Sequence, residues 1–291
     1  MLWGASDVPY PAAVPAAGDL HRTIWGDGPR AVLVHGSMSF GELAFSEQRP
    51  LAERRRVELL DRRGYGTSPD RAGRVDFEED AGDLAALLAE PAHLVGHSYG
   101  GIVCLLAAAL RPEGVCSLAV IEPPAFALAR GAPAVEEVLA RIDRHFAAEG
   151  QALSEEAFLD GFLRAWGFEQ LPPRTLAPRA RRGVRSSMTE RPPWEAEVPL
   201  DRLTAAGLPV LVARGAWDET DPSARDLAGA AFAAVCSVLV ARLAAEEAVF
   251  PGAAHQPQLL GAPFNERLEA FWRASEAAGA HDRRDQHEPQ P

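Results

Sequence analysis

Short continuous apolar runs alternate along this chain with stretches whose apolar residues recur every three or four positions. The runs are Ala31-Val-Leu-Val34, Val57-Glu-Leu-Leu-Asp61, His93-Leu-Val-Gly96, Val115 to Ile121, Leu208 to Ala213 and Ala248 to Phe250. Runs of that kind, closed by Gly, Pro or polar residues, are the pattern of strands buried on both faces. Asp76 to Leu88, between two of them, and Phe264 to Ala277, after the last, place apolar residues on one helical face; Ile102 to Leu110 reads as a further helix, and an Ala-rich helical stretch separates the last two strands. The first of these helices also opens on acidic residues, which suit the positive end of its dipole. Strand–helix alternation of this kind predicts a mostly parallel sheet with helices on both faces.

The alternation is interrupted once. From Pro124 to Leu203 no strand pattern occurs, only helical patterns at Val135–Ala148 and Glu155–Trp166 and Pro-rich breaks at Pro172-Pro173 and Pro192-Pro193. An insertion of that length between two strands reads as a helical cap over the C-terminal edge of the sheet. The expected organisation is therefore a core formed by residues 1–123 and 204–279, a helical cap at 124–203, and a disordered polar tail at 280–291.

Composition narrows the function classes. Hydrophobic residues make up 47% of the 291 positions, enough for one elaborated domain. A net charge of −12 disfavours nucleic acid and anionic membrane surfaces as partners. Every basic side chain apart from His is Arg. Cys104, Cys116 and Cys236 lie in apolar runs with no metal-binding spacing, so no metal is expected. Neither a basic-then-apolar leader nor an apolar run of roughly 18 residues is present, and the expectation is a cytoplasmic protein.

The sharpest segment is Gly96-His97-Ser98-Tyr99-Gly100, which has the G-x-S-x-G spelling between an expected strand and an expected helix. In such an elbow the serine occupies a strained strand-to-helix turn, so its neighbours two positions away must be small. A hydroxyl needs a base before it attacks. His255 follows the last strand, in Pro251-Gly-Ala-Ala-His255, and is the expected base. Asp218 follows the strand 208–213 and is the first choice to orient it. Asp221, farther along the same loop, and Glu122, directly after another strand, are the alternative acids. An oxyanion hole needs two converging N–H donors; those expected are the amides of Tyr99 and of Ser37, in the loop His35-Gly36-Ser37-Met38. His97 and His35 read as structural hydrogen-bonding residues rather than bases.

Val-Leu-Val-His-Gly-Ser37, Leu-Leu-Asp61-Arg-Arg-Gly-Tyr-Gly-Thr-Ser68, His-Leu-Val-Gly-His-Ser98-Tyr-Gly-Gly, Pro209-Val-Leu-Val-Ala-Arg-Gly-Ala-Trp-Asp218 and Pro251-Gly-Ala-Ala-His255 together resemble the α/β-hydrolase superfamily. The resemblance is to its branch of serine esterases, C–C bond hydrolases and cofactor-free haloperoxidases. It implies the α/β-hydrolase fold, a Ser98–His255–Asp218 triad and no cofactor. Ser98 at the elbow, where relatives that open epoxides or remove halides carry Asp, disfavours alkyl-enzyme chemistry. Ala254 departs from the Gly often found before the histidine.

The expected function is a serine hydrolase that cleaves an ester, lactone, amide or C–C bond of a small, largely apolar molecule. The alternatives are an acyltransferase, cyclase or lyase of the same fold, or a non-catalytic binding protein. A homo-oligomer is left open. Phe126, Phe158, Phe162, Trp166, Phe168, Met188 and Trp194 are candidates for the pocket wall. The cluster Arg174, Arg179, Arg181, Arg182 and Arg185 is either an anion site or a solvated face paired with nearby acids.

Overall fold

The computed structural model describes residues 19–70, 73–147, 153–169, 171 and 175–285. Within them, seven strands form one sheet in the order β1-β3-β2-β4-β5-β6-β7. They are β1 (Arg22–Trp25), β2 (Arg30–Val34), β3 (Arg56–Leu60), β4 (Ala92–His97), β5 (Val115–Ile121), β6 (Val210–Gly215) and β7 (Glu246–Phe250). All neighbours pair parallel except β1, which runs antiparallel to β3. The α/β-hydrolase fold expected from the sequence is the fold found. β1 has no apolar run to announce it: as an edge strand, its Arg-Thr-Ile-Trp alternates exposed and half-buried positions.

Helices α1 (Phe77–Leu87) and α2 (Tyr99–Leu110) connect the first half of the sheet. Asp76 caps α1, its side chain accepting from the Glu78 amide at 2.8 Å. Among the described residues, four α-helices lie between β5 and β6: α3 (Pro133–Ala147), α4 (Glu155–Ala165), α5 (Pro178–Ser187) and α6 (Leu200–Ala206). The sequence pattern shows the first two. It misses α5, whose Pro-Arg-Ala-Arg-Arg-Gly-Val-Arg-Ser-Ser has almost no apolar face. α7 (Ala230–Leu243) joins β6 to β7, and α8 (Ala262–Asp285) ends the described chain. α8 runs past Gly279, where the sequence suggests that a polar tail begins; residues 286–291 lie outside the described part.

The apolar residues divide into two clusters, one on each face of the sheet. The larger holds α1, α2, α7 and the inner faces of α3 and α4; the smaller holds Phe264, Leu268, Phe271 and Trp272 of α8. The stretch Pro222–Leu243, which includes α7, is long and apolar enough to cross a membrane, contrary to the sequence reading. In the fold it is a core helix, with Phe232, Val235, Cys236 and Leu239 buried against the sheet cluster.

Strand order fixes where a ligand can enter. The chain passes from β2 outward to β3, then returns across β2 to β4, so the sheet reverses its winding between β2 and β4. Loops leaving the C-terminal ends of such a strand pair diverge to opposite faces and leave a crevice. The loop after β2 carries Gly36 and Ser37; the turn after β4 carries Ser98.

Candidate active site

Ser98 sits in the turn between β4 and α2 at φ +53°, ψ −124°, a left-handed conformation that costs a non-glycine residue about 1–3 kcal/mol. The surroundings enforce it. The Ser98 amide donates to the Ile121 carbonyl at 2.8 Å, and the Ser98 carbonyl accepts from Gly101. A Cβ on Gly96 would stand 2.3 Å from the Gly100 carbonyl oxygen, and one on Gly100 would stand 2.2 Å from that of Val34. Both glycines of the motif are therefore required for close approach of backbone to backbone. Gly36 lets the other loop approach equally closely, since a Cβ there would lie 2.8 Å from Ser98 Cβ.

The histidine loop meets the elbow from the far side of β5. His97 Nε2 donates to the His255 carbonyl at 2.9 Å, and the two imidazoles lie 4.8 Å apart. Because that acceptor is a carbonyl, His97 must carry its proton on Nε2; burial holds it neutral, with a pKa near 3. His97 is thus structural, as the sequence reading has it, and it ties the two loops together. His35 is a second fixed link: Nδ1 donates to the Gly36 carbonyl at 2.7 Å and Nε2 accepts from the Arg62 amide at 3.1 Å. Burial, then the Arg62 cation, keeps it uncharged.

The expected partner of His255 does not hold. His255 Nδ1 is hydrogen-bonded to Oε2 of Glu122 at 2.8 Å. Asp218 is exposed, and its Oδ1 accepts from the Gly252 amide at 2.9 Å, bracing the turn before the histidine. Asp221 caps the next helix through the Ser223 amide. The physical reason lies in where the side chains point after their strands. Glu122 leaves β5 at φ +42°, which turns its side chain into the gap between β5 and β6. There Oε1 accepts from the Gly215 amide and from Trp217 Nε1, both at 2.9 Å. Trp217, itself at φ +59°, is the residue that projects inward from this loop, while its neighbour Asp218 projects to solvent.

Glu122 is fully buried, and burial pushes its pKa up to about 8. Burial likewise pushes His255 down to about 3. Both shifts favour the uncharged forms. They oppose the three donors gathered on the Glu122 carboxylate, which favour its ionised form, and the 27% exposure that the His255 side chain retains. With Glu122 ionised, Nδ1 must be the protonated nitrogen and Nε2 carries the free lone pair.

Aromatic rings enclose the imidazole. Phe232 stacks on it with centroids 4.4 Å apart, Trp166 lies 6.4 Å away and Trp217 6.5 Å away. Trp166 comes from the end of α4 and stacks on Phe232 at 5.0 Å, so the inserted segment reaches the site. Of the expected pocket residues, Phe126 and Phe162 pack around Trp166, and Phe168 packs on Trp217. Nothing in the sequence marks Phe232, because it sits in an Ala-rich helix whose pattern speaks only of core.

On the opposite side of Ser98, neither the Ser37 amide nor the Tyr99 amide has an acceptor among the described residues. Met38 next to Ser37 is at φ +56°, and its amide donates to Ser187 Oγ at 2.7 Å. Met38, Ser98, Glu122 and Trp217 are thus four of the five non-glycine residues held at positive φ among the described residues. Such strain concentrates at functional sites. The arginines have other partners: Arg179 binds Glu42, Arg181 and Arg185 bind Glu155, and Arg182 binds the carbonyls of Tyr65, Gly66 and Ser68. Arg174 lies outside the described residues. No group of three or more His, Cys, Asp or Glu able to hold a metal occurs among the described residues. A groove lined by Glu47, Arg54, Asn265 and Glu266 shares no residue with this constellation.

The model of a family described as the alpha/beta hydrolase family matches residues 31–274. A pimeloyl-[acyl-carrier protein] methyl ester esterase from Aeromonas hydrophila is 32% identical over 216 residues, covering 69% of this chain and 81% of its own. The protein of the same name from Methylococcus capsulatus is 36% identical over 188 residues, covering 64% and 68%. Among solved structures, an esterase from Exiguobacterium antarcticum superposes with a TM-score of 0.62 at 20% identity, over 87% of this chain and 95% of its own. At that identity the likeness speaks for the fold.

Proposed function

The chain belongs to the alpha/beta hydrolase family and is an enzyme of it, and from that premise we propose that it hydrolyses carboxylic esters of small, largely apolar acids through a Ser98–His255–Glu122 triad. The observation that carries this reading is the 2.8 Å hydrogen bond from His255 to buried Glu122, on the same strand-end edge as strained Ser98. The relatives, named as methyl ester esterases, supply the ester and methanol as the first leaving alcohol to test.

In this mechanism Ser98 Oγ forms a bond to the ester carbonyl carbon as its proton passes to His255 Nε2. The amides of Ser37 and Tyr99 hold the oxygen that gains negative charge. The C–O bond to the alcohol then breaks, and the leaving oxygen takes the proton back from Nε2. Water next loses a proton to Nε2 and attacks the acyl carbon; the bond to Ser98 breaks and Oγ recovers the proton. Glu122 stays ionised, fixes the tautomer of His255 and stabilises the imidazolium in both halves. Phe232, Trp166 and Trp217 exclude water and favour apolar acyl groups, and the inserted segment serves as a cap. The substrate is a small molecule met in the cytoplasm.

The test is intact mass after exposure to a small fluorophosphonate, on the wild type and on Ser98→Ala. One adduct on the wild type and none on the variant is the expected result, followed by release of free acid and methanol from methyl esters. An adduct on both proteins, or on neither, would overturn the reading. Products in which an acceptor other than water carries the acyl group would move the enzyme to acyl transfer.

A further inference from the structure

Arg62 is one of the largest fully buried side chains in the protein, at 2% exposure, and a buried guanidinium must be paired. Its contacts reach both residues of the proposed oxyanion hole, Tyr99 directly and Ser37 through Glu190. Nη1 donates to Asp80 at 2.8 Å, and Nη2 donates to Glu190 at 2.7 Å and to the Gly36 carbonyl at 3.1 Å. The planar group lies between two rings, 4.3 Å from the centroid of Tyr65 and 4.2 Å from that of Tyr99. Tyr99 supplies one of the two proposed amide donors.

Glu190 belongs to the inserted segment, just beyond α5, and its side chain is 6% exposed. Oε1 accepts from Arg62 and from the Tyr65 hydroxyl, while Oε2 accepts from Ser37 Oγ. Ser37 supplies the other proposed donor. Three residues earlier, Ser187 Oγ takes the amide of strained Met38 and shares a hydrogen bond with Tyr65. One ion pair thus touches the side chains of both donor residues, Tyr99 through the cation and Ser37 through the carboxylate. Of the two carboxylates on Arg62, Asp80 belongs to α1, and Glu190, like Ser187, belongs to the inserted segment.

We infer that the Arg62–Glu190 pair is a positioning device that seats both amides of the oxyanion hole, so that the hole is complete only while the segment carrying Glu190 is docked. This rests on the hydrolase reading above. The charge balance supports it: when Glu190 leaves, Arg62 keeps Asp80 as its one carboxylate partner, and the Ser37 hydroxyl loses its acceptor. The three donors converging on Glu190 also need an acceptor with no N–H of its own. A glutamine there has one acceptor oxygen and turns its NH₂ toward donors.

The test uses Ser37→Ala, Ser37→Thr, Glu190→Gln and the double variant Ser37→Ala/Glu190→Gln in the full chain. The backbone amide of residue 37 persists in all of them. For each, kcat and KM are measured on the best methyl ester, with Ki for a trifluoromethyl ketone of the same acyl chain, whose adduct places an oxyanion in the hole. The expected result is a fall in kcat of about 10- to 100-fold for Ser37→Ala and Glu190→Gln, short of the loss of a whole donor. KM should change little and Ki should rise by the factor that kcat/KM falls. Ser37→Thr should restore most of the rate, and the double variant should be no worse than Glu190→Gln alone, because both remove one linkage.

Losses that appear in KM alone, that leave the ketone's Ki unchanged, or that add in the double variant would overturn the inference and leave the triad standing. If Glu190→Gln does not fold, the Ser37 pair decides by the same criteria. Failure of the fluorophosphonate to modify Ser98 in the wild type would overturn both.

Discussion

His255 and Glu122, 133 residues apart in the chain, share a 2.8 Å hydrogen bond, while Asp218 braces the turn ahead of the histidine through the amide of Gly252. Glu122→Gln is therefore expected to lower kcat by about 10⁴-fold with the fold retained, since the amide presents the wrong hydrogen-bonding group to Nδ1. Asp218→Asn should cost far less, because an amide oxygen still accepts from Gly252. Steady-state kinetics on both variants check this; the opposite ranking would return the orienting role to Asp218.

The pH profile should carry the signature of a coupled pair. Burial raises Glu122 to about 8 and lowers His255 to about 3, so near neutrality the pair holds at most one proton beyond the one a neutral imidazole keeps, and the active form must give up that extra proton. Activity should therefore rise with pH through a single acidic limb lying below about 8. In Glu122→Gln the anion that draws a proton to the imidazole is gone, so the residual activity should have its limb at lower pH. A limb that stays in place or moves upward would rule out this assignment of the titrating pair.

Phe232 is 1% exposed and stacks directly on the His255 ring. Truncation to Ala should destabilise the protein by about 3–5 kcal/mol, as for other buried phenylalanines. Phe232→Leu keeps most of the volume but not the flat face, and should lower kcat more than it lowers Tm. Denaturant unfolding and kinetics on the two variants separate packing from support of the imidazole. Equal activity of Phe232→Leu and wild type would remove Phe232 from the site.

Arg181 and Arg185 bind Glu155 on the surface of the inserted segment. Exposed pairs of this kind contribute little to stability. Reversing either charge should leave Tm and kcat/KM near their wild-type values, and should affect carboxylate-bearing and neutral esters alike. A selective loss on the carboxylate-bearing ester would restore the anion-site reading of that cluster.

Much of this arrangement is legible in the chain because it is enforced locally. Gly96 and Gly100 are demanded by carbonyl oxygens little more than 2 Å from where a Cβ would stand, so the elbow announces itself in the residues that build it. His255 is legible from its place after the last strand. Ala254, which departs from the glycine common in such loops, causes no conflict, because the positive φ of that turn falls on Gly252. Phe232 and Glu190 carry no such mark. One looks like any core residue of an Ala-rich helix, and the other like any acid in a polar segment.

Six of the seven strands, the edge on which the site is built, the strained serine and the histidine are legible in the sequence alone, since each follows from periodicity or from a turn that few residue types can make; edge strand β1 is not. The sequence also narrowed the acid to three candidates, each beyond the end of a strand. Only the tertiary structure chose among them. The choice depends on Glu122 turning at positive φ into the gap between β5 and β6, and on Trp217 rather than Asp218 projecting inward there. The docking of Glu190 on Arg62 was decided in the same way, by contacts that join distant segments through space. A pattern along the chain records what a residue is and what flanks it, whereas the direction of a side chain past a strand end is set by neighbours that only the folded sheet brings together.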